Sequence, residues 1–248
     1  MRFTKMEGLG NDFVVVDAPV SLDADLIRRL CDRHFGIGAD GVLRVGRDSQ
    51  SVVMDYWNAD GSSSEMCGNG LRCVALYAYD RGLVDQKEFL VRTPVGLRRV
   101  EVGAHVRVEL GPAVVADTIS WGGITFHFVS VGNPHLVTLE ADPDRVDVAT
   151  IGAGVEGLVP GGANVGFGSM AGDALRLRVW ERGVGETLAC GSGMVAAASV
   201  AHHLGLAPKS VVLQVRGGAA TVDIDHETTW LTGLARTVFT GEVATESE

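Results

Sequence analysis

The chain has 248 residues, enough for one or two domains with a buried core, and its 46% hydrophobic and 21% charged residues are those of a globular protein. With 31 acidic against 21 basic residues the formal net charge is −10, which argues against a partner held through phosphates, nucleic acid above all. No apolar run reaches the roughly 18–20 residues of a membrane span, Met1-Arg2-Phe3-Thr4-Lys5-Met6-Glu7 meets Gly8 before any signal-like stretch develops, and four cysteines make no disulfide scaffold, so a reducing cytoplasm is expected.

In chain order the pattern alternates strand and helix. Val14-Val15-Val16 follows Gly8-Leu9-Gly10-Asn11 as a buried strand, and Leu26, Ile27 and Leu30 then stand at helical spacing behind Ser21, with Asp23 and Asp25 in the first turn. Residues 42–45 are strand-like, Val52 to Trp57 is a strand, and Leu71 to Tyr79 is an apolar helix. Lys87 to Leu110 alternates with period two around turns at Gly96 and Gly103, which predicts antiparallel strands. Gly111-Pro112 is the best candidate boundary. Phe126 to Leu139 and Leu175 to Trp180 predict further strands. Met194 to Leu204 predicts an alanine-rich helix stopped by Gly205, and short strands follow at 211–215, 221–224 and 229–231.

The second half echoes the first. Cys67-Gly68-Asn69-Gly70 opens one helix and Cys190-Gly191-Ser192-Gly193 opens another, 123 residues later. Gly10-Asn11 and Gly132-Asn133 precede strands 122 residues apart, and Asn58 and Glu181 each lie nine residues before a cysteine turn. Three pairs at one offset, half the chain length, argue for a duplicated unit. A helix N-terminus favours anions and glycine lets backbone approach a ligand closely. A cysteine there has its thiolate stabilised, its pKa drawn from ~8.5 toward ~3.5–7.5. Two such sulfurs on opposite sides of one ligand suit inversion at a carbon bearing hydrogen: one removes the proton, the other returns one to the opposite face. Helix N-termini at the ligand's carboxylate offset the developing enolate-like charge, so the chemistry calls for no cofactor and no metal.

At these residues the sequence resembles diaminopimelate epimerase over nearly its whole length. The matching blocks are residues 6–14 (Met-Glu-Gly-Leu-Gly-Asn-Asp-Phe-Val), 34–40 (His-Phe-Gly-Ile-Gly-Ala-Asp), 58–62, 67–73 (Cys-Gly-Asn-Gly-Leu-Arg-Cys), 132–135 (Gly-Asn-Pro-His), 164–167 and 181–193 (Glu-Arg-Gly-Val-Gly-Glu-Thr-Leu-Ala-Cys-Gly-Ser-Gly). The resemblance implies cofactor-independent interconversion of LL- and meso-diaminopimelate, on the route to lysine and cell-wall peptide. It implies an α/β (α+β) fold of two pseudo-symmetric domains, each a curved, mostly antiparallel or mixed sheet around a central helix, with the C-terminal strand returning to the first domain. The expected halves are residues 1–112 with 232–248, and 113–231. A small-molecule amino-acid substrate and a homodimer are implied as well.

Carried over residue by residue, Cys67 and Cys190 look like the two catalytic bases. Gly68, Asn69, Gly191 and Ser192 look like donors to the reacting carboxylate, and Asn11, Asn58, Asn133, Asn164, Glu181 and Arg182 like readers of the amino groups and the distal carboxylate. His135 is a near-site residue in the family. The sequence departs at Gly41, where the family commonly places a substrate-touching glutamine.

Other readings of the same residues stay open at this level. Asn11, Asn133 and Asn164 also suit turns, and Glu181-Arg182 a surface ion pair. Cys31 and Cys73 read as core residues, and no zinc-ligand spacing exists. The G-x-G-x-x-G matches at 36–41 and 152–157 lack the strand-then-helix context of a dinucleotide site. Functional rivals are a racemase of another amino acid, histidine or proline for example, and a non-catalytic redox switch or ligand-binding protein built on the cysteine pair.

Overall fold

A computed structural model describes residues 1–64 and 66–244. In chain order its elements are β1 (Arg2–Gly8), β2 (Asn11–Asp17), α1 (Ala24–Cys31), β3 (Gly41–Arg47), β4 (Val52–Asn58), β5 (Ser63–Ser64), α2 (Gly68–Asp80), β6 (Glu88–Thr93), β7 (Gly96–Val102), β8 (Val106–Gly111) and β9 (Val114–Trp121). Then come β10 (Ile124–Ser130), β11 (Pro134–Thr138), α3 (Val148–Glu156), β12 (Asn164–Ala171), β13 (Ala174–Glu181), β14 (Gly185–Thr187), α4 (Gly191–His203), β15 (Ser210–Val215), β16 (Gly218–Ile224), β17 (Thr229–Gly233) and β18 (Arg236–Glu242). The chain forms two compact units, Met1–Val108 with Gly233–Glu248, and Glu109–Thr232. Residues 245–248 of the expected first half lie outside the described residues.

In the first unit β18, β1 and β2 are antiparallel, β2 and β3 parallel, β3 and β4 antiparallel, β4 and β6 parallel, and β6, β7 and β8 antiparallel. A parallel pair needs a crossover, and each has its helix: α1 joins β2 to β3, and α2 lies between β4 and β6. The second unit repeats the scheme. β9, β10 and β11 are antiparallel, β11 and β12 parallel through α3, β12 and β13 antiparallel, and β13 and β15 parallel through α4, with β16 antiparallel beyond. The outer strand of the series is β9 in the second unit, whereas in the first it is β18, from the chain's end, that pairs with β1.

Local chemistry sets the helix starts. Asp23 caps α1 by accepting from the Leu26 N–H, and Leu26, Ile27, Leu30 and Cys31 form its buried stripe. The central helices are apolar almost all round. From Met194 to Val200 every α4 side chain is at most 7% exposed, and α2 is buried from Gly68 to Ala75. The sheet curves round each: α2 packs against β1, β2, β3, β4, β7 and β18, and α4 against β9 to β13, β15 and β16. The outer helices complete separate cores, Phe3, Val14, Ile27 and Leu30 in the first unit and Phe126, Leu136, Val155 and Phe167 in the second. Both are mixed α/β units in which one helix N-terminus ends at a cysteine.

Candidate active site

α2 and α4 are both thirteen residues long and begin 123 residues apart. Each has cysteine as its N-cap residue. Cys67 stands at φ −140°, ψ 112°, and its sulfur accepts the Gly70 N–H at 3.4 Å. Cys190 stands at φ −120°, ψ 117°, and accepts the Gly193 N–H at 3.4 Å. Serine, threonine, aspartate and asparagine are the usual residues there. A thiolate in that place gains from the free N–H groups and the positive end of the helix. A Cβ at Gly193 would stand 3.2 Å from the Cys190 Cβ and 3.3 Å from its sulfur, tighter than ordinary contact, so a side chain there would push on the sulfur. Cys67 is half-buried and Cys190 is 6% exposed.

In the first unit Asn11, Asn69 and Cys67 meet. The β1–β2 hairpin turns through Leu9 (φ 57°) and Gly10 (φ 81°), which brings Asn11 to the head of β2. The Asn11 Oδ1 accepts the Asn69 Nδ2 at 3.3 Å and the Cys67 thiol at 3.5 Å, while its Nδ2 donates to Asp40 at 2.8 Å. Behind Asn69 lies Arg72, wholly buried, whose Nη2 donates to the Asn69 Oδ1 at 2.9 Å and whose Nε donates to the Leu234 carbonyl at 3.3 Å. Burial pulls its pKa down, partly offset by the negative charge of a cysteine thiolate or Glu7 nearby. Asp40 belongs to a charged cluster that the sequence reading missed. Arg33 binds Asp12 at 2.7 Å and Asp40 at 2.8 Å, and buried Lys5 binds Asp12 at 2.5 Å. Against its own desolvation, Asp12 is held below the usual carboxylate range by Arg33 and Lys5.

In the second unit Cys190, Ser192, Asn133 and His135 meet. The Ser192 hydroxyl lies 3.6 Å from the Cys190 sulfur and accepts the Asn133 Nδ2 at 3.4 Å. The Asn133 Oδ1 lies 3.1 Å from the His135 Nε2. His135 is 1% exposed, and burial first, then the Arg182 charge, pushes its pKa down to about 3. It is therefore neutral at physiological pH, and facing a carbonyl oxygen its Nε2 carries the proton.

Asn164, Glu181 and Arg182 gather beside this group. Asn164 stands opposite His135 across the parallel β11–β12 pair. Its Nδ2 donates to the Pro134 carbonyl at 3.4 Å and its Oδ1 accepts the Arg182 N–H at 3.0 Å. The Arg182 Nη1 donates to the Gly161 carbonyl at 2.9 Å, and the Glu181 Oε1 accepts the Thr187 hydroxyl at 2.6 Å. Asn58, at the matching place before the first cysteine turn, donates to the Ser62 hydroxyl at 3.0 Å.

Glu156, at the end of α3, is a supporting residue that sequence reasoning missed. It accepts the Trp180 indole N–H at 2.7 Å and the Gly183 N–H at 3.1 Å, holding both sides of the Glu181-Arg182 turn. The departure at Gly41 has a local cause. A Cβ there would fall 2.4 Å from the Trp57 carbonyl oxygen and 2.6 Å from the Tyr56 ring, so Tyr56 occupies the room a longer side chain would need.

Cys31 and Cys73 are core residues. Burial pushes the Cys31 thiol up to about 11 and the Cys73 thiol higher still. Among the described residues no group of three or more His, Cys, Asp or Glu is placed to hold a metal ion, and no helix is long and apolar enough to cross a membrane.

The fold is an epimerase-type fold. A hydroxyproline epimerase from Agrobacterium vitis, solved with trans-4-hydroxy-L-proline, superposes with a TM-score of 0.77 at 17% identity, covering 98% of this chain and 90% of that one. A predicted epimerase from Pseudomonas aeruginosa gives 0.76 at 16% identity, covering 99% of each. The family itself is carried by sequence: the model described as diaminopimelate epimerase matches residues 3–116 and 127–245. The chain is 39% identical to the diaminopimelate epimerase of Leptospira biflexa (98% of this chain, 99% of that protein), and 40% identical to that of an Azoarcus strain (98% of each). This chain belongs to the diaminopimelate epimerase family and is an isomerase.

Proposed function

We propose that the enzyme interconverts LL- and meso-2,6-diaminopimelate through Cys67 and Cys190 acting on one α-carbon, with no cofactor. In each direction the thiolate takes the α-proton, the electron pair of the broken C–H bond passes to the carboxylate as an enolate, and the opposing thiol supplies a proton to the other face. The sulfurs exchange roles with each turnover. Gly68-Asn69 and Gly191-Ser192, at the starts of α2 and α4, offer N–H groups to that carboxylate; losing one such donor commonly costs ~3–4 kcal/mol of transition-state stabilisation. Glu181 suits an ammonium, and Arg182 with Asn11, Asn58, Asn133 and Asn164 suits the remaining amino and carboxylate groups. Each compact unit supplies one half of this machinery.

The observation that carries the proposal is that both cysteines cap matching helices, with sulfur in the N-cap place and a glycine N–H on it at 3.4 Å. The test is incubation of LL-diaminopimelate with enzyme in D2O. Deuterium enters one α-carbon as the meso form appears, and Cys67→Ala or Cys190→Ala abolishes the epimerisation. Near-normal turnover by either variant refutes the two-base assignment. Faster turnover of proline or histidine in parallel assays refutes the substrate, and ligand binding without turnover leaves a switch. A cytoplasmic homodimer completes the proposal, and light scattering of the eluted enzyme reports its mass.

A further inference from the structure

The hydrogen bonds around the two sulfurs run in opposite senses. In the first unit the chain of donors starts at the Arg72 Nη2, passes through the Asn69 amide to the Asn11 Oδ1, and the Asn11 Nδ2 then donates to Asp40. A cation at one end and a carboxylate at the other fix both amides. Turning Asn11 over would set its oxygen against Asp40 and its NH2 against that of Asn69. Cys67 therefore meets a locked carbonyl oxygen at 3.5 Å, an acceptor for S–H and a poor neighbour for a thiolate. In the second unit the neutral His135 donates to the Asn133 Oδ1, and the Asn133 Nδ2 donates to the Ser192 Oγ. The Ser192 hydroxyl, accepting there, keeps its one proton free to turn to the Cys190 sulfur at 3.6 Å, a contact in which either atom can donate and in which a thiolate at Cys190 makes the hydroxyl the donor. Hydrogen bonds to the charged form favour that form. The residue of α4 matching Arg72 is Val195, also fully buried, so the relays differ at their source.

We infer that the free enzyme rests with Cys67 as the thiol and Cys190 as the thiolate, with Arg72 and His135 as the positioning residues at the far ends of two oppositely directed relays. This rests on the two-base reading, and it makes the resting enzyme ready for the stereoisomer whose α-hydrogen faces Cys190. The Arg72 charge alone would favour a thiolate at Cys67, but it acts from behind two amides, whereas the Asn11 oxygen touches the sulfur. On the strands packed against α2, Lys5 on β1 and Arg33 pair with Asp12 and Asp40, Glu7 on β1 with Arg236 on β18, Arg2 on β1 with Glu242 on β18, Arg44 on β3 with Asp55 on β4, and Asp17 on β2 with Arg81, while Arg47 on β3 donates to the Leu83 carbonyl; β7 adds Arg98, Arg99 and Glu101, the last paired with Arg107. Around α4, β12 and β15 carry no titratable side chain. On β13, Arg176 and Arg178 are paired with Asp144 and Glu186, and Glu181 accepts the Thr187 hydroxyl; Asp117 lies on β9, neutral His135 on β11 and half-buried His127 on β10, and Asp223 on β16 accepts the Ser210 hydroxyl.

The test is the pH dependence of iodoacetamide alkylation, followed by mass spectrometry, at Cys67 in Cys190→Ala and at Cys190 in Cys67→Ala, so that each midpoint belongs to one sulfur. The Cys190 midpoint is expected about one pH unit or more below that of Cys67, within the range over which helix-terminal thiols are lowered. Ser192→Ala raises the Cys190 midpoint, and Ser192→Thr, which keeps the hydroxyl, restores it. A Cys67 midpoint equal to or below that of Cys190, or a Cys190 midpoint unmoved by Ser192→Ala, overturns the inference. Alkylation needs no turnover, so this outcome is separate from the loss of epimerisation that tests the two-base reading.

Discussion

Replacing Glu156 by alanine strips the Glu181-Arg182 turn of its anchor. The carboxylate joins the end of α3 to the Trp180 indole at 2.7 Å and to the Gly183 N–H at 3.1 Å, one on each side of the two residues that the proposal sets against substrate. Hydrogen bonds to a charged partner contribute ~1.5–3 kcal/mol each, and both donors would be left without this acceptor. The group is partly open to water, so a net loss of about 2–4 kcal/mol is expected rather than the full sum. At roughly 2–4 °C per kcal/mol for a chain of this size, the melting temperature should fall by about 5–15 °C. Glu156→Gln keeps one acceptor oxygen and loses about half as much. In epimerisation assays below the melting transition, KM should rise more than kcat falls, because the turn binds substrate without exchanging its proton. Unchanged melting and unchanged KM in Glu156→Ala would refute the anchoring argument. A fall in kcat alone would mean that Glu156 acts on the chemistry and not through the turn.

Three further outcomes follow from the same geometry. Because burial depresses the folded pKa of His135 to about 3 against an ordinary value of ~6.5, the unfolded chain binds the extra proton in that window and stability falls as pH drops from about 6.5 toward 3. Between pH 7 and pH 5 the wild type should lose ~2 kcal/mol more than His135→Gln in urea titrations, and equal losses would refute a buried neutral histidine. Gly41→Gln sets a Cβ 2.4 Å from the Trp57 carbonyl and should lower stability by ~1–3 kcal/mol without lowering KM, since the Tyr56 ring keeps the new side chain from the family's position; a stable variant with improved KM would refute this. Alkylation of the folded enzyme at pH 8 should spare Cys31 and Cys73, whose thiols burial holds protonated, and prompt labelling of either contradicts their place in the core.

Periodicity shows most where one face or the whole of an element is apolar. That holds for the β2 valines, the α1 stripe, α2, α4 and the alternating strands from β6 to β8. α3 was not legible because its sequence, Val148 to Glu156, holds glycines at 152 and 154, a poor helix signal. The structure supplies the reason: a Cβ at Gly152 would fall 2.6 Å from the Trp180 ring, and at Gly154 2.6 Å from the Trp121 ring, so the helix is thinned to lie on two indoles. β1, β9 and β18 lack a continuous apolar run and take their order from partners distant in sequence. The cysteine turns were legible because their chemistry is local: cap, glycine and helix start lie within four residues. The groups that orient the side chains around them were not. Asp40 reaches Asn11 across 29 residues and Glu156 reaches Gly183 across 27. The repeat itself points to one of these absences, since a copy of α1 at the 123-residue offset falls on α3.

The duplication also bears on what an epimerase must do. On the proposed two-base reading each half supplies one base, and the halves repeat one backbone around it: the helices have one length, the caps one geometry, and the N–H contacts one distance of 3.4 Å. The rest of an amino acid is not mirror-symmetric, so identical side chains in both halves would serve one face and obstruct the other. The copies accordingly diverge where the backbone does not depend on them. Asn69 corresponds to Ser192, Arg72 to Val195 and Asn58 to Glu181 at the repeat offset. Each of these exchanges alters charge or hydrogen-bond sense and leaves the strand ends and helix starts in place. A variant that makes the halves more alike, Ser192→Asn, tests this: it should lower the melting temperature by only a few °C, since a polar exchange at a half-buried helix start costs about 1 kcal/mol, and yet lower kcat/KM. Retained stability with undiminished kcat/KM would mean that the inequality of the halves has no chemical use.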